Sequence, residues 1–451
     1  MNNNLCLATN YLLMTEFTRR MWMDLDRHLA EFGSRLVLMS TVVPKTPLPF
    51  PVIPIPFLLR DYAGMFPGSG KTGGNVSAAD LEFLQSDSAR ANHAYPGGEA
   101  LPGMFACRQV FTTVLNTLQP GYVLTWDPTS PQAQMLQSLA REAGLPVQGI
   151  ERGLLPETLM VESRNLQGYS DLRTHWLAQE MPASASDPAA YEQIRAYYVS
   201  HKPQKYHQPA FGGGGDALRQ SLGLAGKKVV VFLGHYDACG LVPKNSNQRC
   251  YNSPGFDSTA DALMAVGNSL VSNPGVAVVF KPHPLDTGAY AVAKVQGVQV
   301  VRDVNVHALI ELADVVATQF TTLQFEAALY EKPIVLLGRS AWWGRNATYE
   351  ADQPGDVLAA LDAALNRREW TLRQAQAHAF VTWMMDQFLI GCSETVPARR
   401  QLRDFAGFIA RTSLDTRHLP PAEERWRRTE QALEPLRPAQ TNSPAAQLFN
   451  R

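Results

Sequence analysis

Short β-branched runs alternate with longer stretches of helical hydrophobic spacing along the first third of this 451-residue chain. Between residues 15 and 32, apolar side chains recur at helical spacing and Gly33 follows them, which predicts a helix that ends at this glycine. A second helix is predicted just before Gly144. Strands are predicted at residues 5–8, 35–39, 121–125 and 147–150. This succession predicts βαβ units and a mainly parallel sheet.

The second half of the chain repeats the alternation. Residues 201–215 contain prolines and four successive glycines, which we interpret as a linker without regular structure. The strands predicted after it are 229–233, 277–281, 298–301, 315–318 and 334–337, and the helices are 260–270, 306–312, 323–330 and 357–365. We therefore predict an α/β fold with Rossmann-like domains at 1–205 and 206–375 and a C-terminal helical segment at 376–451.

Composition and charge narrow the classes of function. Hydrophobic residues make up 45% of the chain and charged residues 18%, as in ordinary globular proteins. The formal net charge of −1 gives no general attraction to nucleic acid. The five cysteines are scattered without a CxxC pair, which favours a reducing compartment. With neither a signal peptide nor an apolar run of about 18 residues, we expect a cytoplasmic protein and leave peripheral membrane contact open.

Polar side chains follow two predicted strands of the second domain. Lys281 and His283 stand at the end of strand 277–281, and Thr321 and Thr322 follow strand 315–318. In open α/β sheets, ligands collect at the carboxyl ends of the strands, and helix N-termini there offer N–H groups to phosphate. A surface pair and a helix cap are the alternatives. The pattern favours a phosphate site and hence a nucleotide-linked substrate.

Two carboxylates and two tryptophans stand at other strand ends. Glu151 follows strand 147–150, where burial in a cleft would suit a general acid or base, and a salt bridge is the alternative. Asp237 leaves the first strand of the second domain and can be a nucleophile, a base or only a cap. Trp342 and Trp343 lie in a glycine-flanked loop that suits either stacking on a sugar or base, or burial.

The order of these motifs resembles that of one family. The series is Glu-x-Gly with Pro-x-x-Leu-x-Val, then Gly-x-x-Asp, Lys-Pro-His-Pro, Thr-Thr-x-x-Phe-Glu-Ala-Ala-Leu and Gly-x-x-x-Trp-Trp-Gly. It looks like the retaining β-Kdo glycosyltransferases of bacterial capsule and O-antigen assembly, and it is similar also to bacterial sialyltransferases. The resemblance covers roughly residues 126–348. It implies the GT-B layout, in which two Rossmann-like domains face a cleft.

The resemblance implies roles for the donor-binding residues. His283, with Lys281 nearby, would bind the phosphate of a CMP-sugar. Thr321 and Thr322 would donate hydrogen bonds to that same phosphate, and Glu326 would help to hold the ribose. One phosphate needs cations or N–H donors, and no Asp-x-Asp stands where a divalent ion would bridge a diphosphate. We therefore expect neither a metal nor another cofactor.

The catalytic roles are likewise implied by the resemblance. Asp237 would be the nucleophile that forms a glycosyl-enzyme adduct, with Asp257 as the reserve candidate. Glu151 would act as acid and base on the acceptor hydroxyl. Arg152 stands where many relatives have a second acid, and it would either contact the ulosonic carboxylate or pair with Glu151. Two successive displacements at the anomeric carbon would retain its configuration.

The function implied is transfer of Kdo from CMP-β-Kdo to a glycan or glycolipid acceptor in bacterial surface polysaccharide synthesis. A nucleic-acid partner is not expected, and peripheral association with the inner membrane is left open. Two alternatives remain. One is a transferase with another donor, such as CMP-sialic acid or a UDP-sugar, and the other is a non-catalytic GT-B-like module that binds a nucleotide-sugar or glycan.

Overall fold

The computed structural model describes residues 4–11, 15–42, 46–56, 59–65, 100–128, 130–162, 170, 172, 187–205, 209–237, 252–284, 286 and 297–434. The strands are β1 (Asn4–Asn10), β2 (Ser34–Ser40), β3 (Val52–Pro54), β4 (Tyr122–Trp126), β5 (Val147–Arg152), β6 (Thr158–Glu162), β7 (Lys228–Leu233), β8 (Val276–Lys281), β9 (Val298–Val300), β10 (Val315–Thr318), β11 (Ile334–Leu336), β12 (Tyr349–Glu350), β13 (Ile390–Gly391) and β14 (Arg400–Gln401). The helices are α1 (Glu16–Glu31), α2 (Leu59–Met65), α3 (Ala100–Leu118), α4 (Pro131–Glu142), α5 (Pro188–His201), α6 (Gly214–Ser221), α7 (Thr259–Leu270), α8 (Val306–Leu312), α9 (Leu323–Leu329), α10 (Val357–Leu365), α11 (Trp370–Trp383), α12 (Leu402–Thr412) and α13 (Ala422–Leu433).

The first sheet has a parallel centre and a mixed edge. Its strand order is β14-β13-β6-β5-β4-β1-β2-β3. The strands from β3 to β5 run parallel, whereas β6 is antiparallel to β5 and β13 is antiparallel to β6. The chain order reverses between β1 and β4, as in a Rossmann unit. The carboxyl ends of β1, β4 and β5 therefore lie at one edge of this sheet.

The second sheet is parallel throughout. Its order is β12-β11-β10-β7-β8-β9, and every neighbouring pair is parallel. Counted from β7, this is the doubly wound order 3-2-1-4-5-6, in which ligands bind where the strand order reverses. That point lies between β7 and β10.

The sequence of β7 shows why this sheet is buried on both faces. Alternate side chains of a strand point to opposite faces. Val229, Val231 and Leu233 pack into one hydrophobic core, and Val230 and Phe232 pack into another. A continuous apolar run is what a parallel strand covered by helices on both sides requires.

The first helix begins and ends as its sequence predicts. The Thr15 side chain accepts a hydrogen bond from the backbone N–H of Thr18 at 3.2 Å, which caps the N-terminus of α1. Gly33 follows its end with φ +78°, a left-handed conformation that glycine adopts at little cost. The predicted α/β class with two Rossmann-like domains is confirmed by the strand orders of the two sheets.

Two local predictions are wrong. The sequence predicts an irregular linker that includes Gly214 and Gly215, yet these two residues are the first of α6. A Cβ on Gly215 would lie 2.6 Å from the backbone nitrogen of Leu312, so glycine there lets α6 pack closely on α8. Strand β6 is not predicted either, because its apolar residues follow the short turn after the Glu-x-Gly motif instead of forming an isolated run.

The predicted C-terminal segment divides between layers of the fold. Helix α11 packs on α5, whereas β13 and β14 extend the first sheet. Helix α12 packs on α1 and α13 packs on α3. The guanidinium of Arg403 in α12 donates to the Glu31 carboxylate of α1 at 2.7 Å. The chain thus returns to its first sheet after completing the second, up to residue 434.

Candidate functional site

A pocket opens at the carboxyl edge of the second sheet, where the strand order reverses. The residues that line it follow β7, β8 and β10, belong to α8 and α9, or precede residue 206; they are Gln204, Lys205, Gly234, Lys281, Pro282, His283, Pro284, Val306, His307, Thr321, Thr322, Leu323 and Glu326. A ligand at this edge is what the doubly wound topology predicts. Five of the predicted site residues are brought together here, namely Lys281, His283, Thr321, Thr322 and Glu326.

The turns after β7 and β8 approach each other closely. The backbone N–H of Gly234 donates to the carbonyl of Lys281 at 2.8 Å. A Cβ at position 234 would lie 3.1 Å from that carbonyl oxygen and 3.2 Å from the nitrogen of His283, which is why glycine stands there. The Tyr236 ring then stacks on the His283 ring with centroids 5.6 Å apart. The two turns hold the His283 imidazole against the pocket.

Burial keeps the imidazoles beside this turn neutral. Desolvation lowers the pKa of His283 to about 4, partly offset by the charge of Asp286. Desolvation and the neighbouring His283 lower the pKa of His235 to about 3. A neutral imidazole offers one N–H donor to a ligand. A phosphate at this position would raise the pKa of His283, because an adjacent anion favours the charged ring.

The Lys281 ammonium is held by the backbone. Its Nζ donates to the carbonyl oxygens of Arg302 and Val304, each at 2.8 Å. Burial lowers its pKa, and the nearby Asp303 partly offsets this effect. Two of its three N–H donors therefore fix the loop after β9. The side chain lines the pocket mainly as a support.

The threonine pair follows β10. The Thr321 hydroxyl accepts a hydrogen bond from the backbone N–H of Leu323 at 3.4 Å, and Thr322 precedes the first residue of α9 without a side-chain cap. Each of the two hydroxyl groups has one O–H that can donate a hydrogen bond to an anion in the pocket. The backbone is fixed by a turn in which the Phe325 N–H donates to the Thr322 carbonyl at 3.0 Å.

Glu326 and His307 form a buried pair within the pocket wall. Glu326 Oε2 lies 3.7 Å from His307 Nε2, and His307 Nδ1 lies 3.2 Å from the Tyr330 hydroxyl. Desolvation raises the pKa of Glu326 to about 8 and lowers that of His307 to about 4. At neutral pH Glu326 is therefore mainly a protonated acid, which can donate to a ribose hydroxyl as well as accept from it.

Asp237 lies beyond the lining residues, three positions after Gly234. Its carboxylate accepts from the Thr259 hydroxyl at 2.7 Å and from the Thr259 N–H at 3.0 Å. Burial raises its pKa, and these hydrogen bonds from Thr259 oppose the shift. The carboxylate is thus fixed in orientation beside the start of α7. This contact suits both an oriented nucleophile and a helix cap.

Glu151 is the second-last residue of β5, at the carboxyl edge of the first sheet. Its Oε1 accepts from the backbone N–H of Arg152 at 2.8 Å. Burial and the charge of Asp127 raise the pKa of Glu151 to about 7, while Arg152 and Lys205 lower it. A carboxyl that titrates near neutrality suits proton transfer. It does not line the pocket, but it lies within electrostatic reach of Lys205, which does.

The Arg152 guanidinium is engaged by neighbouring elements. Its Nη1 donates to the Lys205 carbonyl at 2.9 Å, and its Nη2 donates to the Thr15 hydroxyl at 3.2 Å. It also lies over the Phe17 ring at 5.8 Å. The side chain therefore ties β5 to α1 and to the segment before residue 206, and it is not among the residues that line the pocket.

Sequence reasoning missed Gln204, Lys205 and His307. The first two fall in the stretch interpreted as a linker, where neither periodicity nor a motif marks them. Lys205 Nζ donates to the Gly153 carbonyl of the first sheet. Desolvation lowers its pKa to about 8, while Glu326 and Glu151 raise it. The charges of Glu151 in the first domain and of Glu326 in the second therefore both act on the Lys205 ammonium.

The tryptophan loop is structural at its first position. Trp342 is fully buried, with its ring centroid 5.0 Å from Phe325 and 4.8 Å from Phe380. Trp343 is only partly buried and lies 5.8 Å from the Arg339 guanidinium. Of the two interpretations left open, burial in the core holds for Trp342. Asp257, the reserve nucleophile, is partly buried just before the N-terminus of α7.

Two features are absent from the described part of the chain. Its histidines, cysteines and acidic residues do not form a group of three or more that could hold a metal ion. None of its helices is both long and apolar enough to cross a membrane.

Comparison with known proteins gave weak structural likenesses. No protein-family model matches the sequence, and no curated protein matches it. Among solved structures, a KpsC β-Kdo 2,4 transferase from Thermosulfurimonas dismutans has 19% identity and a TM-score of 0.39, covering 58% of this chain and 79% of that one. A KpsC β-Kdo 2,7 transferase from the same organism has 16% identity and a TM-score of 0.36, covering 68% of this chain and 88% of that one. A glycosyltransferase from Rickettsia africae has 8% identity and a TM-score of 0.42, covering 91% and 99%. All three TM-scores lie below 0.5.

Proposed function

We propose that this chain is a glycosyltransferase that binds a nucleotide-activated sugar in the pocket at the edge of the second sheet. One observation carries the proposal. The His283 imidazole and the Thr321 and Thr322 hydroxyls come from two different strand ends and line the same pocket. Neutral N–H and O–H donors that converge at a strand-order reversal suit a phosphate group.

The donor we propose is CMP-Kdo. The order of motifs resembles that of the β-Kdo transferases, and the pocket offers donors enough for one phosphate. Glu326 lies in the same pocket wall, and burial raises its pKa to about 8, so its protonated carboxyl group can form hydrogen bonds to the ribose hydroxyls. The departing phosphate carries its own charge and needs hydrogen-bond donors, so we expect no metal requirement. Activity should persist in excess EDTA, and loss on chelation with rescue by magnesium would favour a diphosphate donor instead.

The reaction we propose has two displacements. The Asp237 carboxylate attacks the anomeric carbon, the bond to the phosphate oxygen breaks and CMP leaves. An acceptor hydroxyl then attacks the same carbon, the bond to Asp237 breaks, and Glu151 takes the hydroxyl proton. Two inversions retain the configuration of the donor. The Thr259 hydrogen bonds to Asp237 and the near-neutral pKa of Glu151 support these two assignments.

Release of CMP from a panel of donors tests the proposal. The protein is incubated with CMP-Kdo, CMP-sialic acid and a UDP-sugar, with and without a Kdo-terminated glycan acceptor. We expect CMP to be released from CMP-Kdo, and faster with the acceptor. Turnover of another donor alone would overturn the Kdo assignment. A protein that is folded by circular dichroism, binds CMP and turns over no donor would favour the binding-module alternative.

A further inference from the structure

The cations around the pocket are not equally available to a ligand. Two of the three N–H donors of Lys281 form hydrogen bonds to the carbonyls of Arg302 and Val304. Arg152 is turned onto the Lys205 carbonyl and the Thr15 hydroxyl. His283 and His307 are neutral at pH 7 because burial lowers their pKa values to about 4. Of the two lysines that line the pocket, Lys205 therefore has fewer hydrogen-bond acceptors among the described residues.

The Lys205 ammonium donates to few acceptors in the part of the chain that the structure describes. Its Nζ carries three N–H donors, and within the described ranges its one hydrogen-bond acceptor is the Gly153 carbonyl. Glu151 and Glu326 influence its charge, yet neither forms an ion pair with it within 4.0 Å. Burying a cation without a directly paired anion costs free energy, and a bound anionic ligand would offset that cost. The pocket that it lines is where such a ligand would lie.

We propose that Lys205 is a donor-binding residue that recognises an oxyanion of the activated sugar, on top of the sites assigned to His283 and the threonine pair. This inference rests on the proposed function. The oxyanion has two possible sources, the phosphate of CMP and the carboxylate of the sugar, and both bind an ammonium by the same charge-assisted hydrogen bonds. Because the Lys205 carbonyl accepts a hydrogen bond from Arg152 of β5, this residue would also link donor binding to the edge of the first sheet.

Calorimetry with Lys205→Met tests the inference. Methionine keeps the length of the stem and removes the charge. The matched control is Lys228→Met, since Lys228 begins β7 at the opposite edge of the second sheet and donates to the Leu365 carbonyl. The ligands are cytidine, CMP and CMP-Kdo at pH 7. Losing hydrogen bonds to a charged group predicts about tenfold weaker binding by Lys205→Met.

The ligand that is affected identifies the oxyanion. Weaker binding of CMP but not of cytidine indicates the phosphate, and weaker binding of CMP-Kdo alone indicates the sugar carboxylate. Equal affinity of wild type and Lys205→Met for all three ligands would overturn the inference and leave the donor site standing. Wild type that binds neither CMP nor CMP-Kdo would instead overturn the proposed function itself. Unchanged cytidine binding in Lys205→Met shows that the variant is folded.

Measuring proton uptake distinguishes direct binding of the ligand by Lys205 from a purely structural role of this residue. An anion beside Lys205 stabilises the charged form of its ammonium group and so raises its pKa. Without a ligand, the pKa of Lys205 is about 8. At pH 8.5 the wild type should therefore take up protons when the ligand binds, measured as a difference in heat between Tris and HEPES buffers. Lys205→Met should lose that uptake, whereas Lys228→Met should keep it. Equal uptake in wild type and Lys205→Met would count against the inference.

Discussion

The hydroxyl of Thr259 donates to the Asp237 carboxylate at 2.7 Å, and the backbone N–H of the same threonine donates at 3.0 Å. The contact joins the turn after β7 to the first residue of α7. Two roles follow from it, because a carboxylate at a helix start can stabilise the helix or be held there for attack. The two roles predict different consequences when the carboxylate is removed.

Asp237→Ala should lower the transfer rate by several orders of magnitude and stability by only about 1 kcal/mol, the usual cost of a lost helix cap. The rate is measured as CMP release with acceptor, and stability by urea unfolding.

The matched control is Ser258→Ala, which removes the N-cap bond from the Asp261 N–H to Ser258 Oγ at 3.1 Å. It should cost a similar free energy and leave transfer nearly unchanged. If the two variants lose stability alike and both stay active, Asp237 is only a cap.

The pH profile should depend on Glu151. Its pKa is raised to about 7, and the scheme uses its deprotonated form to take a proton from the acceptor, so the rate should rise as pH increases through about 7. Glu151→Gln should remove this limb and lower the rate about 100-fold or more.

The variant Asp127→Asn tests whether Glu151 causes the pH dependence of the rate. The charge of Asp127 raises the pKa of Glu151, so its removal should move the limb to lower pH. Asparagine tolerates the φ of +51° at that position. A limb that stays in place would show that Glu151 does not set the profile.

His283→Ala should weaken CMP binding about tenfold, because one hydrogen bond to a charged phosphate is lost. His378→Ala is the control, since His378 stacks on Tyr191 with centroids 3.6 Å apart and does not line the pocket. Calorimetry measures both. Equal affinities for wild type and His283→Ala would remove His283 from the phosphate site.

Arg425→Met should destabilise the protein by about 3 kcal/mol or more. The guanidinium is fully buried and donates to the carbonyls of Leu118, Gln119 and Pro420, and each acceptor left without a partner costs about 1–3 kcal/mol. Arg427→Met on the exposed face of α13 should change the free energy of unfolding by less than about 0.5 kcal/mol. Similar urea midpoints for both variants would show that α13 does not stabilise the first domain.

The sequence predicts the second sheet well because its signal is local. The bounds of β10 (Val315–Thr318) agree with the prediction, and those of β7 and β8 differ by one residue at one end. Apolar β-branched runs bounded by polar residues are enough to identify buried parallel strands. The return of β13 and β14 to the first sheet has no such signal, since each strand spans two residues and gains its order only from tertiary pairing.

The candidate site divides in the same way. His283, Thr321 and Thr322 could be predicted because they follow strands whose carboxyl ends must share an edge. The position of Lys205 could not be, because its hydrogen bond to Gly153 spans 52 residues. The backbone contacts that occupy Lys281 and Arg152 are likewise tertiary, and motif spacing alone cannot distinguish an engaged cation from one available to a ligand.

Intact-protein mass spectrometry of Glu151→Gln with CMP-Kdo tests the central claim most directly. This variant should still form the adduct on Asp237 but open it slowly, since no carboxylate takes the acceptor proton. The account predicts one added Kdo mass, located by peptide mapping on the segment that contains Asp237 and absent in Glu151→Gln combined with Asp237→Ala. An adduct on a different residue, or transfer by Asp237→Ala at the wild-type rate, would contradict it.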